Sequence, residues 1–150
     1  MITTVFFDAV GTLFFWSHGV WTLFPEVFDA LQQLKAAGYK IGIISNFDER
    51  LPEVLKSLKI SDFIDTVIWP SQAGVGKPAP KIFLTALAAA KAQANQAAHV
   101  GNDLEADVHG ALAVGMMGIF LDRGKSAPRG TGVKIIHDLS ELQKIISRPS

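Results

Sequence analysis

The fold of this chain is indicated first by the stretch Val5–Leu13, which reads VFFDAVGTL. A short apolar run rich in Val and Phe is typical of a buried strand, and Asp8 follows that run at its carboxyl end. In open α/β sheets this is the end of the strands at which the ligand crevice lies. A carboxylate there can attack an electrophile or hold a cation, and Gly11 lets the backbone come close to a ligand. Val10 occupies a position where a second acid could have served as a proton donor.

The composition favours one compact domain over residues 1–150 with a sizeable apolar core. Hydrophobic residues make up 49% of the chain, and the 14 basic residues balance the 14 acidic ones. Because no basic stripe occurs, we do not expect nucleic acid as a partner. The absence of cysteine excludes disulfides and thiolate metal sites, and it fits a cytoplasmic protein. No apolar segment approaches about 20 residues and no basic leader is visible, so we expect neither a membrane span nor a signal peptide.

Strand-like and helix-like segments alternate along the chain, which predicts βαβ crossovers and a mainly parallel sheet. The predicted strands are Ile2–Asp8, Lys40–Ser45, Thr66–Trp69, Ala98–Gly101, Gly118–Asp122 and a short sixth strand Val133–Ile136. The predicted helices are Pro25–Ala37, Asp48–Leu58, Pro78–Ala92, Leu104–Val114 and Leu139–Ile146. Crossovers of this kind are right-handed, so the expected fold is α/β, a doubly wound three-layer α/β/α sandwich of Rossmann-like topology. The loop Arg123–Gly132 is expected to be mobile, and the tail after Ile146 is expected to fray.

The interval between the first strand and the first helix holds an aromatic hairpin, Leu13–Phe24, which turns at Ser17-His18-Gly19. Two aromatic faces need two surfaces to cover them. The hairpin could fold onto its own core, form a lid over the site, or join a second copy of the chain. In the last case we expect a homo-oligomer formed through four side chains, Phe14, Phe15, Trp16 and Trp21.

Polar residues follow the strands at the edge where the predicted crevice lies. They are Asp8, Ser45, Asn46, Lys77, Asn102, Asp103 and Asp107. A transferring phosphoryl group needs this combination of a nucleophile, hydrogen-bond donors for its oxygens and a cation that offsets charge. Asp103 and Asp107 are four residues apart, so a helix would place them on one face. The four histidines share no metal-ligand spacing; His99 is expected at a strand edge and His109 on a helix surface.

Four motifs in this order resemble the haloacid dehalogenase-like hydrolase superfamily, and most of all its HDHD3-like branch of phosphatase homologues. They are Asp8–Leu13, Ile43–Asn46, Gly76–Pro80 and His99–Asp107. The resemblance implies that Asp8 is a covalent nucleophile and a Mg²⁺ ligand, that Ser45 binds the phosphoryl group, and that Lys77 offsets charge.

The same resemblance implies a metal site and a substrate-binding loop. The Val10 backbone carbonyl would be a second Mg²⁺ ligand, and acids of the fourth motif would complete the set. Asn102 holds the ligand position in one register of that motif, and Asp103 with Asp107 in the other. The implied substrate-binding residues are Gly11, Thr12 and Asn46, with a small phosphorylated molecule as substrate.

The chain departs from the family pattern at three places that bear on activity. Val10 stands where the phosphatase branch carries its general acid, and Asn102 stands where the fourth motif usually carries Asp. The interval Leu13–Phe24 is too short for the helical cap of relatives, so the chain resembles a core with its cap missing. These departures predict impaired phosphomonoesterase chemistry through an Asp8 aspartyl-phosphate. The alternatives are a C–halogen hydrolase and a non-catalytic or engineered minimised core that self-associates through the hairpin.

Overall fold

The computed structural model describes residues 1–125 and 132–147. Its eight strands are β1 (Thr4–Phe7), β2 (Phe14–Ser17), β3 (Val20–Leu23), β4 (Lys40–Ile44), β5 (Thr66–Ile68), β6 (Ala97–Gly101), β7 (Met117–Leu121) and β8 (Lys134–Ile136). Six of them form one parallel sheet in the order β5-β4-β1-β6-β7-β8, while β2 and β3 form a separate antiparallel pair. The strand that ends at the candidate nucleophile therefore lies inside the sheet, between β4 and β6.

Helices cover both faces of this sheet. They are α1 (Val27–Ala36), α2 (Leu51–Ser57), α3 (Pro70–Ala73), α4 (Pro80–Ala90), α5 (Gly110–Ala113) and α6 (Leu142–Ile146). Alternate side chains of β1 serve the two layers: Val5 and Phe7 pack with α1, α2 and α6, whereas Phe6 packs with α4 and α5. The predicted three-layer α/β/α sandwich is confirmed. None of the described helices is long and apolar enough to cross a membrane.

The predicted helix Leu104–Val114 differs most from the structure. Residues Leu104–His109 form a wide π-helical turn, and only Gly110–Ala113 is α-helical. The widening begins where the backbone N–H groups of both Asp107 and Val108 point to the Asp103 carbonyl. π-Turns of this kind occur often at functional sites because they re-aim a side chain. Here the re-aimed side chain is that of Asp107, which is buried.

Two of the predicted segments lie partly outside the described residues. Of the loop Arg123–Gly132, for which we expected mobility, residues 126–131 lie outside them, and so do residues 148–150 of the tail. Arg123 itself is held in place, as described below. The remaining predicted elements are present, with ends that shift by one to three residues, and the short helix α3 was not predicted.

The aromatic hairpin forms as predicted and folds largely onto its own core. His18 and Gly19 both have positive φ, 51° and 80°, which matches the two-residue turns that fit the twist of paired strands. Phe14 is fully buried, and Trp21 packs edge-on against both Phe14 and Phe47. Trp16 remains 59% exposed at the outer part of the same face. The hairpin thus belongs to the core through Phe14, and Trp16 is left at the surface.

This difference in burial predicts unequal costs of truncation. Phe14→Ala should lower the free energy of unfolding by about 3–5 kcal/mol, because it leaves a cavity under the hairpin. Trp16→Ala should cost less than about 1 kcal/mol, because most of that side chain is already in water. Urea unfolding at neutral pH measures both values. Equal losses for the two variants would contradict the placement of the hairpin.

Candidate active site

Three adjacent strands deliver polar residues to one edge of the sheet. Asp8 follows β1, Ser45 follows β4, and Gly101 ends β6, from which the chain runs on to Asp107. Lys77 reaches the same place from the loop between α3 and α4. The carboxyl ends of parallel strands are where open α/β sheets bind ligands. The topology therefore assembles a site from segments that are far apart in the sequence.

The centre of this site is the ammonium group of Lys77, which lies between two carboxylates. Lys77 Nζ donates to Asp8 Oδ1 at 2.9 Å and to Asp107 Oδ1 at 2.5 Å. The Thr12 hydroxyl donates to the other oxygen of Asp8 at 3.2 Å. All four side chains are buried or nearly so, with Lys77 only 7% exposed. Charges in such a place persist only because each one has an ionic partner.

The two carboxylates respond differently to this environment. Burial raises the pKa of Asp8 above its usual value, and Lys77 only partly opposes that effect. Burial also acts on Asp107, but hydrogen bonds from His99 and Lys77 outweigh it and lower the pKa of Asp107 to about 2. Asp107 is therefore the fixed negative charge of the site. Asp8 is the carboxylate whose charge depends more on what binds next to it.

His99 is the residue that the sequence analysis placed wrongly. It lies on β6 in the interior of the sheet, completely buried, rather than at a strand edge. Its Nε2 lies 2.9 Å from Asp107 Oδ1, and its ring packs edge-on against Phe83. Burial lowers the pKa of His99, so the neutral ring donates to Asp107. A histidine inside the apolar run Ala97–Gly101 was the available signal, since a buried imidazole needs a polar partner.

Gly101 explains how the Asp107 carboxylate can fold back against the strand. A Cβ at Gly101 would lie 2.1 Å from Asp107 Cγ, so a larger residue leaves no room for that side chain. The second oxygen of Asp107 accepts from the backbone N–H of Asp103 at 3.1 Å. The Asp103 carboxylate itself is exposed and caps the following turn by accepting from Ala106 N. The two acids that a helix would have placed on one face therefore do different things.

Asn46 holds Lys77 by its backbone. Its Oδ1 accepts from Lys77 N at 2.8 Å, and its Nδ2 donates to the Lys77 carbonyl at 3.2 Å. Asn46 thereby positions Lys77, and its second Nδ2–H remains available as a donor. The neighbouring Ser45 accepts a hydrogen bond from Phe47 N through Oγ and keeps its own hydroxyl proton available.

The loop after Asp8 lies directly against Asn102. Gly11 has a φ of +87°, and a Cβ there would come within 2.3 Å of Asn102 Nδ2. The Asn102 amide is thus next to the loop that carries Asp8 and the Val10 carbonyl, while the Val10 side chain is 39% exposed. Within residues 1–125 and 132–147, no three Asp, Glu, His or Cys side chains are grouped so that they could hold a metal ion.

Comparison with known proteins identifies the family. A hydrolase family model described as haloacid dehalogenase-like hydrolase matches residues 14–115. The chain belongs to the haloacid dehalogenase-like hydrolase family. Haloacid dehalogenase-like hydrolase domain-containing protein 3 of Xenopus laevis is 38% identical over 109 residues, which is 73% of this chain and 44% of that protein. The chain therefore spans less than half the length of this relative.

Solved structures of the family show the same core. A HAD phosphatase from Thermococcus onnurineus is 31% identical with a TM-score of 0.80, and the match covers 84% of this chain and 59% of that one. A 2-haloacid dehalogenase from Pseudomonas syringae pv. Tomato DC3000 is 32% identical with a TM-score of 0.74, and the match covers 85% of this chain and 54% of that one. Family members of both kinds thus share this fold.

Arg123 is a second residue near the candidate site that the sequence analysis missed. Its guanidinium donates to the Thr12 carbonyl at 2.7 Å and to the Glu26 carboxylate at 2.8 Å, and it stacks on Phe24 at 3.7 Å. It thereby ties the loop after β7 to the base of the hairpin and to the residue before α1. No sequence signal separated this arginine from the others in a loop rich in Gly, Pro and charge.

The low pKa of Asp107 predicts a pH-dependent contribution to stability. Asp107→Asn should lower the free energy of unfolding at pH 7 by about 3 kcal/mol, because it breaks a buried ion pair. A depressed carboxyl pKa stabilises the fold above the unfolded pKa, and this effect is lost as the pH falls towards 2. Hence the difference between variant and wild type should shrink from pH 5 to pH 3 in urea unfolding experiments.

The matched control is Asp103→Asn, since asparagine caps a helix as well as aspartate does. This exposed position should change stability by less than about 1 kcal/mol at either pH. If both variants lose the same amount, or if the loss for Asp107→Asn is independent of pH, the buried charge cluster is not the source of the effect.

Proposed function

We propose that this chain hydrolyses phosphomonoesters through an aspartyl phosphate formed on Asp8. The observation that carries the proposal is the buried Asp8–Lys77–Asp107 cluster at the carboxyl ends of three neighbouring strands. The similarity to a phosphatase of the same family supports the choice of phosphate over other electrophiles. Asp8 would attack phosphorus, and the bond to the ester oxygen would break on the opposite side.

The other residues would stabilise the charge of the transferring group. Lys77 offsets the negative charge that accumulates when a phosphate dianion lies next to Asp8, and the neutral hydroxyl of Ser45 can donate to a phosphoryl oxygen. Asn46 keeps Lys77 in position through both of its main-chain polar groups. Because these donors are fixed before substrate arrives, little reorganisation is needed in the transition state.

We expect Mg²⁺ to bind at this site only when phosphate oxygens of the substrate supply some of its ligands. Asp107 would have to share its oxygens, because they already accept from Lys77, His99 and the Asp103 backbone. The remaining donors are the Asp8 carboxylate, the Val10 carbonyl and the Asn102 amide oxygen. One carboxylate with neutral oxygens suits Mg²⁺ when phosphate oxygens complete the shell. Bound there, the ion would neutralise charge on the transferring phosphoryl group.

The proposal predicts slow but measurable hydrolysis of small aryl phosphates. Asp8→Asn should abolish it, because an amide is not a nucleophile for phosphorus. The matched control is Asp62→Asn, at an exposed aspartate outside the site, which should keep wild-type activity. The activity of the wild type and of both variants is measured as the release of inorganic phosphate. Activity that survives Asp8→Asn would refute Asp8 as the nucleophile.

The ligand set predicts that Mg²⁺ binding depends on phosphate. In calorimetric titrations the wild type should bind Mg²⁺ weakly alone and at least about tenfold more tightly when beryllofluoride occupies the site. Asn102→Asp should bind Mg²⁺ without the mimic, since it adds a second carboxylate. Asn95→Asp adds the same charge at an exposed position before β6 and should have no effect. Tight binding to the wild type without the mimic would contradict the proposed ligand set.

A second candidate is hydrolysis of a carbon–halogen bond. Position 10 lacks a proton donor, and the similarity to a 2-haloacid dehalogenase includes 85% of this chain. Asp8 would attack carbon, halide would leave with the bonding electron pair, and water would then cleave the ester. A halide ion needs no proton to leave. Halide release from 2-haloacids that persists in a chelator, together with no phosphate release, would favour this reaction.

Self-association through the hairpin stays a prediction, and the structure narrows it. Phe14 lies inside the core and cannot contact a second copy, whereas Phe15 and Trp21 are partly buried. Trp16 is the remaining exposed aromatic of the four side chains first considered. Trp16 pairs with Trp21 across the hairpin, so a dimer of this kind would have to use the face that these two side chains share.

A further inference from the structure

The loop between Asp8 and the hairpin is held rigidly with an apolar side chain at its surface. Gly11 N donates to the Phe14 carbonyl and Thr12 N to the Ala9 carbonyl, so the backbone of this loop has defined partners. Val10 lies within it and is 39% exposed, two residues after the nucleophile. A surface side chain two residues after the nucleophile can contact the leaving group or the attacking water. Valine can neither give nor take a proton there.

Neither of the described side chains that hydrogen-bond to Asp8 is placed to act as the missing acid and base. In the part of the chain that the structure describes, the hydrogen bonds to the Asp8 side chain come from Thr12 and Lys77. Lys77 is held by a second carboxylate, and both oxygens of that carboxylate, Asp107, accept further hydrogen bonds. Residues 126–131 and 148–150 contain no Asp, Glu or His. Proton transfer at this site therefore falls to the substrate and to water.

The first half of the reaction then depends on the leaving group. When Asp8 attacks phosphorus, the electron pair of the breaking P–O bond goes to the leaving oxygen. An alkoxide is so basic that its departure needs a proton, and a general acid is typically worth about 10²–10⁴-fold in rate. A carboxylate, with a pKa of about 4, leaves without one, and a phenolate, at about 10, is intermediate.

The second half of the reaction does not benefit from a better leaving group. Water must attack the phosphorus of the aspartyl phosphate. The P–O bond to Asp8 then breaks, and its electron pair stays on the Asp8 oxygen, which restores the carboxylate. The proton that water loses goes to the released phosphate or to solvent, because no base of the chain accepts it. This step stays slow whatever donor supplied the phosphoryl group.

We propose that this chain takes its phosphoryl group from acyl phosphates and similar donors, whose leaving groups depart without a proton, and keeps it on Asp8 as a long-lived aspartyl phosphate. This inference rests on the proposed function, because it needs Asp8 to attack phosphorus. It goes further in naming the substrate class and the step that limits turnover. The chain would act as a phosphoryl acceptor whose aspartyl phosphate is hydrolysed slowly, rather than as an efficient phosphatase.

The test is intact-protein mass spectrometry after incubation with Mg²⁺ and acetyl phosphate, or with glycerol phosphate as the alkyl ester. The wild type should gain the mass of one phosphoryl group from acetyl phosphate and none from glycerol phosphate. Asp8→Asn should gain none, and hydroxylamine should remove the label, since it cleaves acyl phosphates. Release of acetate from acetyl phosphate should show a burst equal to the labelled fraction, whereas inorganic phosphate should appear without a burst at the slow steady-state rate.

Val10→Asp supplies the missing group and should raise steady-state phosphate release by at least about 100-fold while the labelled fraction falls. Val20→Asp, which adds the same charge at the exposed hairpin, should behave as wild type. Equal rates with the two donors, steady release without label, or label that survives Asp8→Asn would overturn the inference. Steady, Asp8-dependent release would leave the proposed function standing. If acetyl, aryl and alkyl phosphates all give neither label nor phosphate, the proposed function fails as well.

Discussion

The ammonium group of Lys77, buried between the carboxylates of Asp8 and Asp107, is the interaction on which the rest of this structure depends. A lysine that is 7% exposed loses most of its hydration, so its charge is tolerable only with both partners present. Two uncharged residues nearby keep Lys77 and its carboxylate partner in position. Asn46 fixes the lysine backbone, and the bare Cα of Gly101 makes room for the second carboxylate. The charged centre is therefore specified by residues that carry no charge themselves.

The sheet and its flanking helices could be predicted because their signals are local. The run Val5–Phe7 and the apolar stretch before Ser45 read as buried strands, and the structure contains both. The proximity of three side chains could also be predicted, because the loops that follow parallel strands meet at one edge of the sheet. These side chains are Asp8, Lys77 and Asp107. The family model matches from residue 14 onward, so the position of Asp8 rests on the fold rather than on that match.

What the sequence could not show depends on backbone detail. The π-helical turn that directs the Asp107 side chain has no recognisable periodic pattern in the sequence. From the sequence alone, Asp103 and Asp107 therefore look equivalent. His99 was misplaced because a single polar residue in a short strand gives no information about depth in the sheet. Asn46 has the residue type of a substrate ligand, and only the structure shows that its amide also holds the backbone of Lys77.

Under the proposed function, Asp8 is the nucleophile and the surface residue two positions after it, Val10, cannot transfer a proton. The aromatic hairpin closes the core beside the loop of Asp8 and leaves Val10 at the surface. Among the described residues, the side chains that hydrogen-bond to Asp8 are those of Thr12 and Lys77. If the proposed function holds, such a site would form an aspartyl phosphate faster than it hydrolyses it.

A crystal structure grown with beryllofluoride and Mg²⁺ tests the central claim most directly. The account predicts beryllium bonded to an Asp8 oxygen, with Lys77 Nζ in contact with a fluorine atom while it keeps its hydrogen bond to Asp107. Beryllofluoride bound elsewhere, or bound to Asp8 with Lys77 turned away from the site, would contradict the role given to the buried lysine.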